Sequence, residues 1–208
     1  MTARTLPMSV APQAALAALS ERRTVTLCGA QASALGLTVA TRLATAGRVV
    51  KWISGDNQFN PYTIAHEAYA QEASPDAALG RIQIARAFTA YQLTELVGRL
   101  EPAAEPNLVI ISGLCTSFLD EDVTSTDAAR LFYRVLWRTV ELTQQGMSLL
   151  LVQRPLPERT RRYYFFQDLC RVSHRVLYLD GQQSFRLRTQ LRAGLMGSLK
   201  QSPVESYK

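Results

Sequence analysis

At 208 residues, 47% hydrophobic and 19% charged, the chain has the makeup of one globular domain able to bury a core without cross-links. No apolar run approaches the roughly 18 residues needed to span a bilayer, which excludes a helical membrane protein. Three widely spaced cysteines among apolar neighbours (Cys28, Cys115, Cys170) argue against a disulfide framework or a metal site, and for free thiols in a reducing compartment.

Strand-like and helix-like segments alternate nearly end to end. An N-terminal arm over 1–23 contains an Ala-rich helix at 13–22, entered after Pro12. Strands are expected at 24–28, 49–54, 81–86, 107–112 and 147–153. Helices are expected at 37–46, stopped by Gly47, at 61–72, opened by Pro61, at 89–100, ended before Pro102, and at 126–145, stopped by Gly146. This alternation predicts an α/β core over 24–192, a mostly parallel sheet flanked by helices. Near the end, HRVLYLD and SFRLRTQL read as a C-terminal β-hairpin closing one edge of the sheet. Residues 193–208 read as a flexible tail.

The net charge of +6 sits in one place. Nine arginines against Glu158, Asp168 and Asp180 lie between Arg154 and Arg192, and the rest of the chain is neutral. Arg154, Arg159, Arg161 and Arg162, followed by Tyr163 and Tyr164, combine cations with stacking faces, the mixture a single-strand nucleic-acid site needs. The competing reading is an amphipathic helix from Thr160 with Phe165, Leu169 and Val172 on its buried face. Arg130, Arg134 and Arg138 recur every four residues beside Trp137 and read as a solvated stripe. The acidic run Asp120–Asp122 precedes that helix. His66 and His174 lack ligand-spaced companions, and no nucleophile–base pair stands out, so no metal, cofactor or catalytic group is expected.

Between Thr24 and Thr38 the chain reads TVTLC-GAQASAL-GLT, the outline of a phosphate-binding loop. A working G-x-x-x-x-G-K-[ST] cradles phosphates on backbone N–H groups and reaches them with Lys. Aligned on Gly36 and Thr38, Gln31 stands at the first Gly and Leu37 at the Lys. One lost charge-assisted contact weakens binding by about 1.5–3 kcal/mol.

Three stretches together resemble the RecA/RadA recombinase family and its KaiC-type relatives: this degenerate loop, WISGDNQFNPYTIAHEAYAQ, and RIQIARAFTAYQLTELV. The last is the most specific, being similar to the family's YARAFNTDHQ segment. The resemblance implies a RecA-like P-loop NTPase core with Asp56 at the water-activating Glu, Ser112 at the metal-orienting Asp, and Gln153 before the DNA-contacting loop. With Lys and Asp both replaced, it implies a pseudo-ATPase without cofactor. The expected function is a non-catalytic accessory of DNA recombination or repair, cytoplasmic or nuclear, able to oligomerise. Its expected partners are single-stranded DNA, a RecA/RadA-type recombinase or another protein. Two rivals stand beside it: a protein-binding regulator resembling the division inhibitor SulA, and a residual ATP binder completing its site in trans.

Overall fold

The computed structural model describes residues 3–21, 23–102, 108–179, 181 and 184–189. Eight strands form one sheet: β1 (Ala3–Pro7), β2 (Thr24–Gly29), β3 (Val50–Ser54), β4 (Ile82–Arg86), β5 (Leu108–Ser112), β6 (Ser148–Gln153), β7 (Arg175–Leu179) and β8 (Ser184–Thr189), in the order β1-β8-β7-β2-β6-β5-β3-β4. The six from β7 to β4 are mutually parallel, while β8 runs antiparallel to both β7 and β1. Strands covered on both faces read as continuous apolar runs, as in LVIIS of β5, where every residue is buried.

Alternate side chains of each central strand feed two cores. Leu150 and Val152 of β6 enter one with α1 (Ala11–Ser20), α2 (Ala32–Thr45), α3 (Pro61–Ala70) and α4 (Pro75–Leu79). Leu149 and Leu151 enter the other with α5 (Ala90–Gly98), α6 (Leu114–Ser117), α7 (Ser125–Gln144) and α8 (Tyr164–Val172). On α7 the buried Leu131, Phe132, Val135, Leu136 and Leu142 follow the helical repeat, and Phe132 stacks on Phe165 of α8 at 4.1 Å. At its start the Thr124 hydroxyl caps the Asp127 N–H at 3.1 Å, and hydrogen bonds from Thr124 and Arg130 hold the Asp127 carboxyl below the usual carboxylate range.

Three expectations need correction. Residues 3–20 are not an arm apart from the core: β1 pairs along β8, and Ala11 and Ala15 of α1 are fully buried. The β7–β8 hairpin forms but is not the edge, because β1 lies outside it. The short helices α4 and α6 were not legible, being only 5 and 4 residues long. The tail expected over 193–208 lies outside the described residues.

Candidate functional site at the carboxyl edge of the sheet

Crossovers leaving β2 and β3 pack on one face of the sheet, and those leaving β4, β5 and β6 on the other. Neighbouring strands therefore send their chains in opposite directions at β2/β6 and at β3/β5. Such reversals open crevices at the carboxyl ends of parallel strands, where ligands of doubly wound folds bind. Gly29, Ser54, Ser112 and Gln153 end these four strands.

At the β2 crevice the expected loop does not form. Only Ala30 and Gln31 separate β2 from α2, which begins at Ala32 rather than after Gly36. Ala-Ser-Ala-Leu offers no residue that resists helix, so the backbone N–H groups expected to face a phosphate are drawn into helical bonds, beginning with Leu35 N–H to Gln31 O at 3.0 Å. Gly36 is a packing residue: a Cβ there would lie 2.9 Å from Val152 Cγ2 and 3.4 Å from Trp52 Cη2. Leu37 is core at 3% exposure, and the Thr38 hydroxyl donates to Ala34 O at 3.2 Å. Gln31 occupies the N-cap position without a side-chain capping bond.

At the β3 crevice the structure brings Asp56 and Ser112 together. The Ser112 hydroxyl donates to Asp56 Oδ1 at 2.8 Å and accepts from Trp52 Nε1 at 3.2 Å. The Gln58 N–H also donates to Oδ1, at 3.2 Å, while Asp56 Oδ2 is buried with no partner among the described residues. Asp56 lies flat on Gly113, whose φ of +70° is left-handed and whose missing Cβ would sit 2.3 Å from Asp56 Cβ. Phe59, from the same stretch, packs edge-on to Trp52 at 5.3 Å. This crevice is thus filled by protein. Gly113→Ala is expected to cost about 3 kcal/mol, overpacking plus left-handed strain, read as a fall in Tm of roughly 6–12 °C.

Gln153, fully buried, links the two crevices: its Oε1 accepts from Cys115 N–H at 3.0 Å, and its Nε2 donates to Arg154 O at 3.1 Å. All three cysteines are free and buried. Burial pushes the Cys115 thiol well above its ordinary range, the Cys170 thiol up to about 11 and the Tyr178 hydroxyl to about 12. These thiols are inert nucleophiles.

The basic segment between β6 and α8 divides into two kinds of residue. Arg154, Arg159 and Arg161 are exposed, and the side chains of the first two bond to no described residue. Tyr164 is 43% exposed and meets Phe165 edge-on at 4.6 Å. Arg162 is different, at 6% exposure with φ +66°. Its Nη1 donates to Phe118 O at 2.8 Å and Asp120 O at 3.2 Å, and its Nη2 to Val123 O at 2.6 Å. It clamps the loop carrying Asp120, Glu121 and Asp122 and is removed from the candidate contacts. Tyr163, half-buried against Phe166 at 5.6 Å, is removed as well. Phe165 and Phe166 are core, as the helical reading of this segment expects. Only long-range packing distinguishes Arg162 from Arg161; the adjacent identical residues carry no local signal. On α7, Arg130 pairs with Asp127 and Arg138 with Glu141, both at 3.1 Å, which leaves Arg134 as the unpaired member of that stripe.

This architecture defines an α/β protein with an eight-stranded, mostly parallel sheet flanked by helices, compatible with the Rossmann or RecA-like class. No protein-family model matches the chain, and no curated protein matches it by sequence. Among the described residues no helix is long and apolar enough to cross a membrane, and no group of three or more His, Cys, Asp or Glu is placed to hold a metal ion.

Proposed function

We propose that the chain is a RecA-like accessory protein of DNA recombination or repair that acts without nucleotide chemistry and binds single-stranded DNA along the segment between β6 and α8. The observation that carries this reading is the exposure of Arg154, Arg159, Arg161 and Tyr164 together at the carboxyl edge, with no acid in ion-pair contact among the described residues. Three cations track phosphates and one ring stacks a base. The ARAFTAYQ resemblance supports the recombinase side of the reading, and the helical winding of 32–37 supports the absence of nucleotide chemistry.

Labelled oligo-dT tests it by fluorescence anisotropy. Three phosphate contacts give a log–log salt slope of about −2, so raising salt from about 50 to 200 mM weakens binding roughly twenty-fold. Arg154→Glu/Arg159→Glu/Arg161→Glu is expected to abolish binding. Tyr164→Ala is expected to cost about 1–3 kcal/mol. No binding of the wild-type chain at low salt sinks the reading.

One observation favours a second reading, a protein-binding regulator. The clamp of Arg162 on Phe118, Asp120 and Val123 sets the acidic run Asp120–Asp122 beside the exposed arginines. A two-signed surface suits a protein such as a recombinase protomer better than a polyanion. The same triple variant would then lose a purified recombinase in pull-down while the wild-type chain ignores oligo-dT.

A further inference from the structure

The β4 edge of the sheet is open. β4 pairs only with β3, in parallel, with Val50 opposite Ile82 and Ser54 opposite Arg86. Val50 N–H donates to Arg81 O at 2.9 Å and Ala87 N–H to Ser54 O at 2.8 Å. The odd-numbered residues from 81 to 87 therefore turn their backbone groups toward β3. Ile82, Ile84 and Arg86 turn theirs outward, a row of three donors and three acceptors along an unpaired edge. Natural sheets blunt such edges with proline, bulges or short strands, because an open ladder templates pairing with another chain. β4 holds no proline and no residue with positive φ.

Apolar surface gathers at the same place. Ile84 is 44% exposed on the strand, Phe88 75% just after it and Tyr91 52% at the start of α5. With Tyr62 and Tyr69 of α3, the segment 62–91 carries five of the seven large apolar side chains exposed among the described residues, so the patch is local and not scattered. Such exposure marks an interaction surface.

Charge decides what covers it. From Ala77 to Thr94 the chain holds Arg81 and Arg86 and no acid. Arg86 bonds to no described residue, and Arg81 reaches only Ala77 O, at 3.2 Å. A second copy brought edge to edge would add two more guanidinium groups to the same seam without an acid to meet them. We infer that the β4 edge accepts an extended segment of a partner protein as a ninth strand, one in which apolar residues alternate with Asp or Glu. Main-chain bonds to residues 82, 84 and 86 supply the affinity, and a carboxylate opposite Arg86 sets the preference. This inference is independent of the DNA-binding reading.

The test uses the full chain and two fluorescein-labelled decapeptides, one alternating valine with glutamate and one alternating valine with lysine, each ending in phenylalanine. Two variants accompany it. Ile84→Pro removes an outward N–H while leaving the bonds to β3 in place, a position where an edge strand tolerates proline. Arg86→Glu leaves the backbone untouched and carries the test alone if the proline variant fails to fold. The expected result is binding of the acidic peptide only, weakened at least about tenfold in either variant, with Arg86→Glu now preferring the lysine peptide. Oligo-dT affinity is expected to be the same in wild type and both variants. No binding of the acidic peptide at about 1 mM, or binding that neither variant changes, overturns the inference. So does a dimer in light scattering that dissociates in Ile84→Pro, which would make a second copy the occupant.

Discussion

Leu37→Lys, which restores the residue that a phosphate-binding loop would need, is expected to destabilise the protein and to confer no nucleotide binding. Leu37 sits in the core packed around Leu35, Val39 and Ala40 at 3% exposure, five residues past the start of α2. An ammonium placed there loses the leucine's burial and is itself desolvated without a counter-charge, for about 3 kcal/mol or more. That corresponds to a fall in Tm of roughly 6–12 °C for a chain of this length. Leu37→Met, which conserves volume, is expected to stay within about 1.5 kcal/mol of wild type. Adding Mg-ATP at millimolar concentration should leave both melting curves where they are, since a ligand stabilises only in proportion to its binding. An ATP-induced rise in Tm for Leu37→Lys would show that α2 unwinds to form the loop, and would revive a nucleotide-binding reading.

Arg162→Ala is expected to be the most damaging single change in the basic segment, and for a reason unconnected with ligand. The guanidinium satisfies three backbone carbonyls of residues 118–123 from a buried position. Hydrogen bonds to a charged donor contribute about 1.5–3 kcal/mol each and do not add. A net loss of about 3–4 kcal/mol follows, partly offset by relief at a left-handed backbone. Arg162→Lys should fall between wild type and alanine, because one ammonium cannot reproduce a planar fork facing three acceptors. Chemical denaturation checks the order. Arg161→Ala, whose exposed side chain makes one bond to the Ser125 hydroxyl at 2.8 Å, is expected within about 0.5 kcal/mol of wild type. A reversed order of Arg161 and Arg162 would refute the clamp. Charge reversal at Arg162 consequently reports on the loop, so DNA or partner binding is better tested at Arg154, Arg159 and Arg161.

Local pattern accounts for much of the architecture. The runs in β2, β3, β5 and β6 are legible because a strand covered on both faces must be apolar throughout. Gly47 and Gly146 lie just past α2 and α7, where the sequence places the stops. The phosphate-loop outline misled for an equally physical reason: helix propensity acts on Ala32–Leu35, and nothing in the pattern says that Gly36 is wanted by Val152 and Trp52. Ser112 and Asp56, 56 positions apart, were singled out separately, and their hydrogen bond depends on β3 lying beside β5.

The sequence by itself determined the alternation of strands and helices, the apolar faces and the concentration of charge in the last quarter, because each is a property of neighbours along the chain. Tertiary structure alone decided that β1 joins β8, that Arg162 is a buried clamp while Arg161 is a surface cation, and that β4 is left as an open edge. Those outcomes depend on which distant backbone groups meet, and a side chain's own type does not carry that information.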